Sequence, residues 1–169
     1  MKFLKAFAAA RAPLRLIAVF DNDVAGKDAC AQALALNLPR NISVLTLPDI
    51  ELARKYLTIG PQGAGVADVN GRAASIELYL GRAALNGEDG NLRPVRWKGY
   101  VPPLNAYQGE VEGKAEICAS FLGGIRDVAN AEAARNVYPE LALVWQAIFK
   151  AVEQSMSEAR RNEIREVLE

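Results

Sequence analysis

Short apolar runs and longer helical stretches alternate along the first third of this chain. Residues 2–11 have a helical composition that ends before a proline, and the alanine-rich residues 24–37 also have a helical pattern. Apolar runs rich in β-forming residues occupy residues 14–20 and 42–47. Two strands joined by a helix of this length pair in parallel. The pattern therefore predicts part of a doubly wound α/β sheet with flanking helices, in which the first strand is central and the second lies beside it.

The rest of the chain is predicted to be a loop followed mainly by helices. Glycines and a proline in residues 58–71 predict a loop that ends in a tight turn at Asn70 and Gly71. Further helices are predicted over residues 72–85, 114–126, 130–137 and 140–168, and another turn at Pro102 and Pro103. The last helix has an apolar stripe, which we expect to pack on the domain or on a partner helix; its members are Leu141, Val144, Trp145, Ile148 and Val152.

The length and composition are those of an ordinary globular protein. With 169 residues, of which 51% are hydrophobic, the chain can bury a core. We predict an α/β core in residues 1–90, and in residues 91–169 a mixed extension that ends in helices. Twenty basic and twenty acidic residues leave no net charge, so a contact with nucleic acid would need a local basic patch.

The residue types exclude some kinds of chemistry. The chain has no histidine, which excludes zinc sites with histidine ligands and acid–base catalysis by histidine. Cys30 and Cys118 lie far apart, and we expect both thiols to be reduced, unpaired and buried. The apolar start of the chain is short and interrupted by Lys5, so we interpret the protein as cytoplasmic, with no membrane span.

Two carboxylates, Asp21 and Asp23, follow the first predicted strand where a glycine-containing turn begins. Side chains alternate along extended backbone, so both would point the same way if that geometry continued through Asn22. Open α/β sheets bind ligands at the carboxyl ends of their strands, and two oxygen donors there suit Mg²⁺ or Mn²⁺. The alternative is that the segment only caps the next helix. We favour a metal site, because a cap requires one acid and not two.

Glu77 lies on the apolar face of the helix predicted over residues 72–85, and the other members of that face are Ala73, Ile76, Leu80 and Ala84. A carboxylate aimed at the packed side is costly unless its pKa shifts, it pairs with a base such as Arg72 or Arg82, or it binds a cation. The alternative is that Glu77 lies at the edge of the stripe and reaches solvent.

A basic segment with aromatic residues lies between residues 91 and 108, and it contains no acid. Its basic residues are Arg93, Arg96 and Lys98, and its aromatic residues are Trp97, Tyr100 and Tyr107. Such a combination can hold phosphates and stack bases. We slightly favour the simpler interpretation, a short extension of the sheet with solvated basic side chains and aromatic residues in the core.

Two motifs resemble a known family. The sequence Phe-Asp-Asn-Asp-Val-Ala-Gly at residues 20–26 resembles the DxD signature of Toprim domains, the metal-dependent fold of topoisomerases, primases and several nucleases. The sequence Ile-Glu-Leu-Tyr-Leu at residues 76–80 resembles the element that follows the Toprim core in nucleases of the overcoming-lysogenization-defect type. Together with residues 60–63 and 107–110, these motifs make most of residues 14–125 similar to bacterial HEPN/Toprim-associated proteins.

This resemblance implies a partial Toprim-like, Rossmannoid parallel sheet and a metal-dependent nuclease that acts on DNA or RNA. In that family mechanism a divalent metal stabilises charge on the phosphodiester during attack. Carried over to this chain, Asp21 and Asp23 would be the catalytic residues and would hold Mg²⁺ or Mn²⁺, with Glu77 as an additional ligand. Lys27 and Arg72, near the starts of two helices, would contact the substrate phosphates.

The chain departs from the family pattern at its start. A Toprim domain begins with a strand that carries a glutamate ahead of the DxD strand, but here only residues 1–12 precede that strand, and the first acid is Asp21. The chain therefore resembles the C-terminal portion of a Toprim protein. We expect weak metal binding and little turnover from it in isolation. Asp68 is a lesser candidate ligand in the loop.

Two other classes of function stay open. The Phe-Asp-Asn-Asp sequence also fits a haloacid-dehalogenase-like phosphatase, with Asp21 as nucleophile, Asp23 as acid, Thr46 at the end of the next strand, and Lys55 as a weak match for the expected lysine. The other class is a non-catalytic assembly module, in which the C-terminal helix joins copies of the chain or binds a partner protein.

Overall fold

A computed structural model describes residues 2–10, 14–102 and 105–168, with side chains as far as Met156. Arg11, at the end of the first predicted helix, and Pro103, in the second predicted turn, lie outside the described residues. In chain order the elements are α1 (Lys2–Ala10), β1 (Leu16–Phe20), β2 (Asn22–Asp23), α2 (Val24–Leu34), β3 (Ile42–Thr46), α3 (Glu51–Arg54), β4 (Tyr56–Gly60), β5 (Gly63–Ala67), β6 (Ala73–Ala74), a 3₁₀ helix (Ile76–Tyr79), α4 (Arg82–Leu85), β7 (Val95–Val101), β8 (Ala106–Val111), α5 (Lys114–Ile125), α6 (Ala131–Val137) and α7 (Pro139–Leu168).

The first α/β unit confirms the predicted parallel pair. β1 and β3 run parallel, with Leu16 opposite Ile42 and Phe20 opposite Thr46, and α2 lies between them in the chain. The prediction that β1 is a central strand is wrong for the described part of the chain, where β1 pairs with β3 alone. The reason is that the later strands hydrogen-bond to one another in separate sheets.

A four-stranded sheet with the order β5-β4-β7-β8 forms the second layer. β4 and β7 are parallel, and the other neighbours are antiparallel. The loop predicted over residues 58–71 is wrong, because most of it forms the β4–β5 hairpin, in which Gly60 pairs with Gly63. Glycine weakens strands by itself, but Gly63, with a φ of 101°, closes the turn. The turn at Asn70 and Gly71 is confirmed, and Gly71 has a φ of 70°.

Residues 72–85 do not form the single helix that was predicted. β6 pairs antiparallel with β2, the 3₁₀ helix follows, and α4 begins after Gly81, which has a φ of 88°. A positive φ does not occur inside an α-helix. A methyl group at Gly81 would also lie 2.6 Å from the ring of Tyr138, so the chain needs glycine for this close approach. Of the predicted apolar face, Ala73, Leu80 and Ala84 are buried, whereas Ile76 is exposed.

The main hydrophobic core is formed by residues of the four-stranded sheet together with residues from segments that precede and follow position 90 in the chain. It includes Leu78, Leu85, Val95, Ile117 and Val144. A smaller cluster fills the space between α1, α2 and the β1–β3 pair. The division of the chain into residues 1–90 and 91–169 stays a prediction, and the main core draws on both parts.

The three C-terminal helices occur where they were predicted. In α7, Val144 is buried and both Leu141 and Ile148 pack against the main core, so the stripe packs on the domain as expected. Trp145, which was assigned to the same stripe, is 52% exposed. The predicted fold class, an α/β protein with a parallel strand pair, flanking helices and a C-terminal helix, is confirmed.

Cys30 and Cys118 are both free thiols, as predicted. Cys30 is buried, and burial raises the pKa of its thiol. Cys118 is exposed on α5, so the expectation that both thiols are buried is wrong for this residue. In the part of the chain that the structure describes, none of the helices combines the length and apolar character needed to cross a membrane.

Candidate carboxylate site

Asp21 begins the candidate site at the point where β1 ends. Its Oδ1 accepts a hydrogen bond from the backbone N–H of Ile76, 3.1 Å away, which ties the strand exit to the 3₁₀ helix. The next side chain, Asn22, is 1% exposed, and its Nδ2 donates to Oδ1 of Asp49 at 2.8 Å. That Asp21 and Asp23 point the same way stays a prediction, because it depends on side chains alternating along extended backbone through Asn22.

Asp23 is the N-cap of α2. Its backbone is extended, and its Oδ1 accepts a hydrogen bond from the N–H of Gly26 at 2.6 Å. The interpretation of Asp23 as a helix cap therefore accounts for one of its two carboxylate oxygens. Within the described residues, no hydrogen bond reaches its Oδ2. That oxygen is available to a ligand.

Glu77 is buried in the 3₁₀ helix, with 8% of the residue exposed. Its Oε2 accepts a hydrogen bond from the hydroxyl of Ser75, and its Oε1 lies 3.4 Å from Nζ of Lys114. The expected cost of a buried carboxylate is thus met by an ion pair, but with Lys114 rather than with Arg72 or Arg82. The alternative that Glu77 reaches solvent at the edge of a helical stripe is wrong.

Lys114, the first residue of α5, joins two acidic groups. Its Nζ also lies 3.3 Å from Oε1 of Glu110, and Glu110 in turn pairs with Lys98 of β7. Neither Lys114 nor Ser75 is among the residues predicted from the sequence. The i,i+4 spacing of Glu110 and Lys114 was a visible signal for an ion pair, but nothing in the sequence connected that pair to Glu77.

The surroundings of Asp21 disfavour the charged form of its carboxyl. Burial raises the pKa of the Asp21 carboxyl, and the negative charges of Asp23 and Glu77 raise it further. The N–H of Ile76 and the charge of Lys114 oppose these effects, but the net shift is upward. Such a carboxylate gains from a nearby cation.

The predicted three-carboxylate metal site is not fully assembled. Among the described residues, no three His, Cys, Asp or Glu side chains form a group that could hold a metal ion. The physical reason is that the carboxylate of Glu77 is held by Ser75 and Lys114. Asp21 and Asp23 remain a pair of oxygen donors. This donor set fits Mg²⁺, which is usually bound by one or two carboxylates and completes its shell with water and substrate phosphates.

The two predicted phosphate contacts, Lys27 and Arg72, flank the strand exit. The side chain of Lys27 lies over the turn at Gly71, where a methyl group would meet its Cε at 3.0 Å. Arg72 forms a backbone bridge with Asp23, and its guanidinium carbon is 4.8 Å from the ring centroid of Trp97. The two cations are therefore neighbours of the same turn, and one of them is next to a candidate metal ligand.

Asp68 has a structural role instead of a position in the site. Its Oδ1 accepts hydrogen bonds from the backbone N–H and the side-chain Nδ2 of Asn70, at 2.9 and 3.0 Å. Asn70 then bonds to both the N–H and the carbonyl of Ile50. These bonds fix the turn that carries Gly71 and Arg72.

The residues that the phosphatase interpretation requires are only partly close to Asp21 and Asp23. Thr46 ends β3 opposite Phe20, as that interpretation requires. Lys55 is exposed at the end of α3, and no contact of its side chain with Asp21 or Asp23 occurs among the described residues. Asp23, the acid in that interpretation, uses one oxygen as a helix cap.

The raised pKa of Asp21 predicts that Asp21→Asn stabilises the metal-free protein at pH 7. A folded-state pKa above the ordinary value of 3.8 means that ionisation of Asp21 favours unfolding. The stability associated with protonated Asp21 is complete below that value and is lost as the pH rises through the raised pKa. Asparagine keeps the acceptor for Ile76 without the charge. Urea unfolding in EDTA should show an advantage for the variant at pH 7 that shrinks towards pH 3.8.

Asp89→Asn is the matched control, and it should lower the stability at pH 7 where Asp21→Asn raises it. Hydrogen bonds from the side chain and backbone of Asn91 lower the pKa of the Asp89 carboxyl. Its contribution to stability is present above 3.8 and is lost as the pH falls. A variant Asp21→Asn that is less stable than the wild type at pH 7 would show that Asp21 is not in an electrostatically unfavourable position.

Neither a family model, nor a curated protein, nor a solved structure matches this chain.

Proposed function

We propose that the chain provides the carboxylate half of a Toprim-type site for metal-dependent cleavage of nucleic-acid phosphodiesters. The observation that carries this proposal is the pair of aspartates at the end of β1. Asp21 accepts a hydrogen bond from the N–H of Ile76, the neighbour of Glu77, and Asp23 keeps one carboxylate oxygen without a hydrogen bond among the described residues. Burial, and after it the negative charge of Asp23, raises the pKa of the Asp21 carboxyl. The resemblance of residues 20–26 and 76–80 to Toprim nucleases supports the same chemistry.

Asp21 and Asp23 would hold Mg²⁺ or Mn²⁺ through their free carboxylate oxygens. When bound, such an ion supplies positive charge that stabilises the phosphodiester oxygens as the bond breaks. Glu77 is held beside the pair by Lys114 and would act as an additional ligand only after that ion pair loosens. Lys114 itself is already paired with Glu77 and Glu110, so an anionic substrate would be held by other cations.

DNA or RNA is the proposed partner, and the cytoplasm the proposed location. Lys27 and Arg72 flank the turn at Gly71, where Arg72 is bridged to Asp23 through the backbone, and they would hold the phosphates that flank the reacting one. With no net charge on the chain, these two local cations have more importance than any overall field. The resemblance also implies a catalytic glutamate ahead of Asp21, which residues 1–20 do not supply, so we expect slow turnover from this chain.

The test is a cleavage assay with labelled single-stranded DNA, duplex DNA and RNA, in Mn²⁺, Mg²⁺ or EDTA. We expect slow cleavage in Mn²⁺ that EDTA abolishes, and a loss of at least about tenfold in Asp21→Asn and in Asp23→Asn. Asparagine is also a good N-cap, so Asp23→Asn should retain α2.

Asp127→Asn is the matched control for these variants. It removes the same charge from an exposed position after α5 and should cleave like the wild type. Activity that survives EDTA, or that is equal in Asp21→Asn and the wild type, would refute the proposal. Formation of an aspartyl-phosphate on Asp21 would instead favour the phosphatase.

A further inference from the structure

A groove of about 610 Å³ opens between the β4–β5 hairpin and the β7–β8 hairpin. One wall is formed by the backbone of Gly60, Gly63 and Gly65, and the other by the rings of Trp97 and Tyr107. Glycine has no side chain, so a flat ring can approach this backbone closely. The volume falls within the range of small-molecule sites, and it is large enough for one nucleotide.

Arg72 brings a positive charge to this groove. Its guanidinium is held over the Trp97 ring, and it forms no ion pair with any described residue. By contrast, the basic side chains of β7 are already neutralised, since Arg96 pairs with Glu112 and Lys98 with Glu110. A fixed guanidinium without a carboxylate partner is suited to bind a phosphate.

Arg72 connects the groove to the segment that carries Asp23. Arg72 is bridged to Asp23 through the backbone, and β6, which follows Arg72, pairs with β2. Trp97 is held in place because it crosses Gly60 and Gly109, where added methyl groups would meet the indole at 3.4 and 2.9 Å. A ligand that contacted Trp97 and Arg72 would therefore extend towards the candidate metal ligands.

We propose that this groove binds one unpaired nucleotide of a single-stranded nucleic acid. The base contacts Trp97 and Tyr107, and its phosphate contacts Arg72, which directs the next phosphodiester towards Asp21 and Asp23. This inference rests on the proposed function and names its substrate class. A single strand is required because the faces of bases in a duplex are covered by their neighbours, whereas an unpaired base can stack on an aromatic side chain.

The test measures binding of a fluorescein-labelled oligothymidine of about ten nucleotides in EDTA, where the proposed chemistry is blocked. We expect Trp97→Leu and Tyr107→Ala to weaken binding about tenfold each. Arg72→Gln should weaken binding and reduce the slope of log K against log salt by about one. Trp145→Leu removes the other, exposed tryptophan on α7 and should bind like the wild type.

A second measurement does not depend on the folding of the Trp97 variant. In Trp145→Phe, Trp97 is the remaining tryptophan, and its emission should be quenched by the oligonucleotide. Absence of quenching would overturn the proposal. So would an affinity for duplex DNA equal to that for the oligothymidine, or free thymidine monophosphate that competes as well as unlabelled oligothymidine does. Binding with quenching but without cleavage in Mn²⁺ would refute the proposed function and support the groove. Cleavage that Trp97→Leu leaves unchanged, without quenching, would refute the groove alone.

Discussion

Saturating Mn²⁺ is expected to raise the melting temperature of this protein, because the folded chain brings Asp21 and Asp23 together and the unfolded chain does not. At about a hundred times the dissociation constant, binding to the folded state alone adds about 2.7 kcal/mol to the free energy of unfolding. For a chain of this size that corresponds to roughly 5–10 °C. Asp21→Asn and Asp23→Asn should each lose most of this increase.

In the same melting series, Glu77→Gln tests whether Glu77 binds the metal ion or only lies near it. Because Lys114 already pairs with Glu77, this variant should keep more of the metal-dependent increase than either aspartate variant. Asp127→Asn should keep all of it. If the melting temperature of the wild type does not change up to millimolar Mn²⁺, the two-carboxylate site does not exist as described.

Gly26→Ala is expected to be among the most damaging single substitutions near the site. A methyl group at Gly26 would lie 2.8 and 2.9 Å from the backbone C and N atoms of Asp21, and still closer to its carbonyl oxygen. Backbone atoms cannot rotate away as a side chain can, so α2 must move from the end of β1. Overpacking of this kind costs roughly 3 kcal/mol. Because the N–H of Gly26 also caps onto Asp23, the variant should lose metal binding as well.

Gly123→Ala is the matched control for this substitution. It lies inside α5, and a methyl group there would have no neighbour within 4 Å. Replacing a helical glycine by alanine in open space should stabilise the protein by about 0.5–1 kcal/mol. In urea unfolding, Gly26→Ala should lower the free energy of unfolding and Gly123→Ala should raise it. An unaffected Gly26→Ala would mean that α2 does not approach Asp21 so closely.

Much of the first α/β unit could be predicted, because it depends on local patterns. The runs that form β1 and β3 are continuous and apolar, and the intervening helix sets their parallel orientation. That Asp21 and Asp23 follow directly after the first strand could be stated from the order of residues alone. For the same reason the capping role of Asp23 could be stated in advance as an alternative.

The segment around Glu77 could not be predicted in the same way, because its structure is set by distant contacts. A helical pattern of apolar residues was present, but Ala73 and Ala74 pair with β2 instead, and Gly81 needs a positive φ beside Tyr138. The partner of Glu77 comes from Lys114, thirty-seven positions later in the chain. Neither the spacing of residues along the chain nor their secondary-structure propensity predicts such a contact. The β4–β5 hairpin could not be predicted for a related reason, because its glycines form strands only by pairing across the hairpin.

The ion pair between Glu77 and Lys114 and the packing of α7 on the 3₁₀ helix have a consequence for the order of events during synthesis. The segment that carries Asp21, Asp23 and Glu77 leaves the ribosome before Lys114, the base that pairs with Glu77, and Val144 of α7 completes the core around Leu78 later still. Contacts between such distant parts of a chain form slowly, because the loop must close before they stabilise anything. The segment that carries Glu77 therefore gains its ion pair and its full packing only once α5 and α7 are available, whereas Asp21 and Asp23 are held by the nearer N–H groups of Ile76 and Gly26.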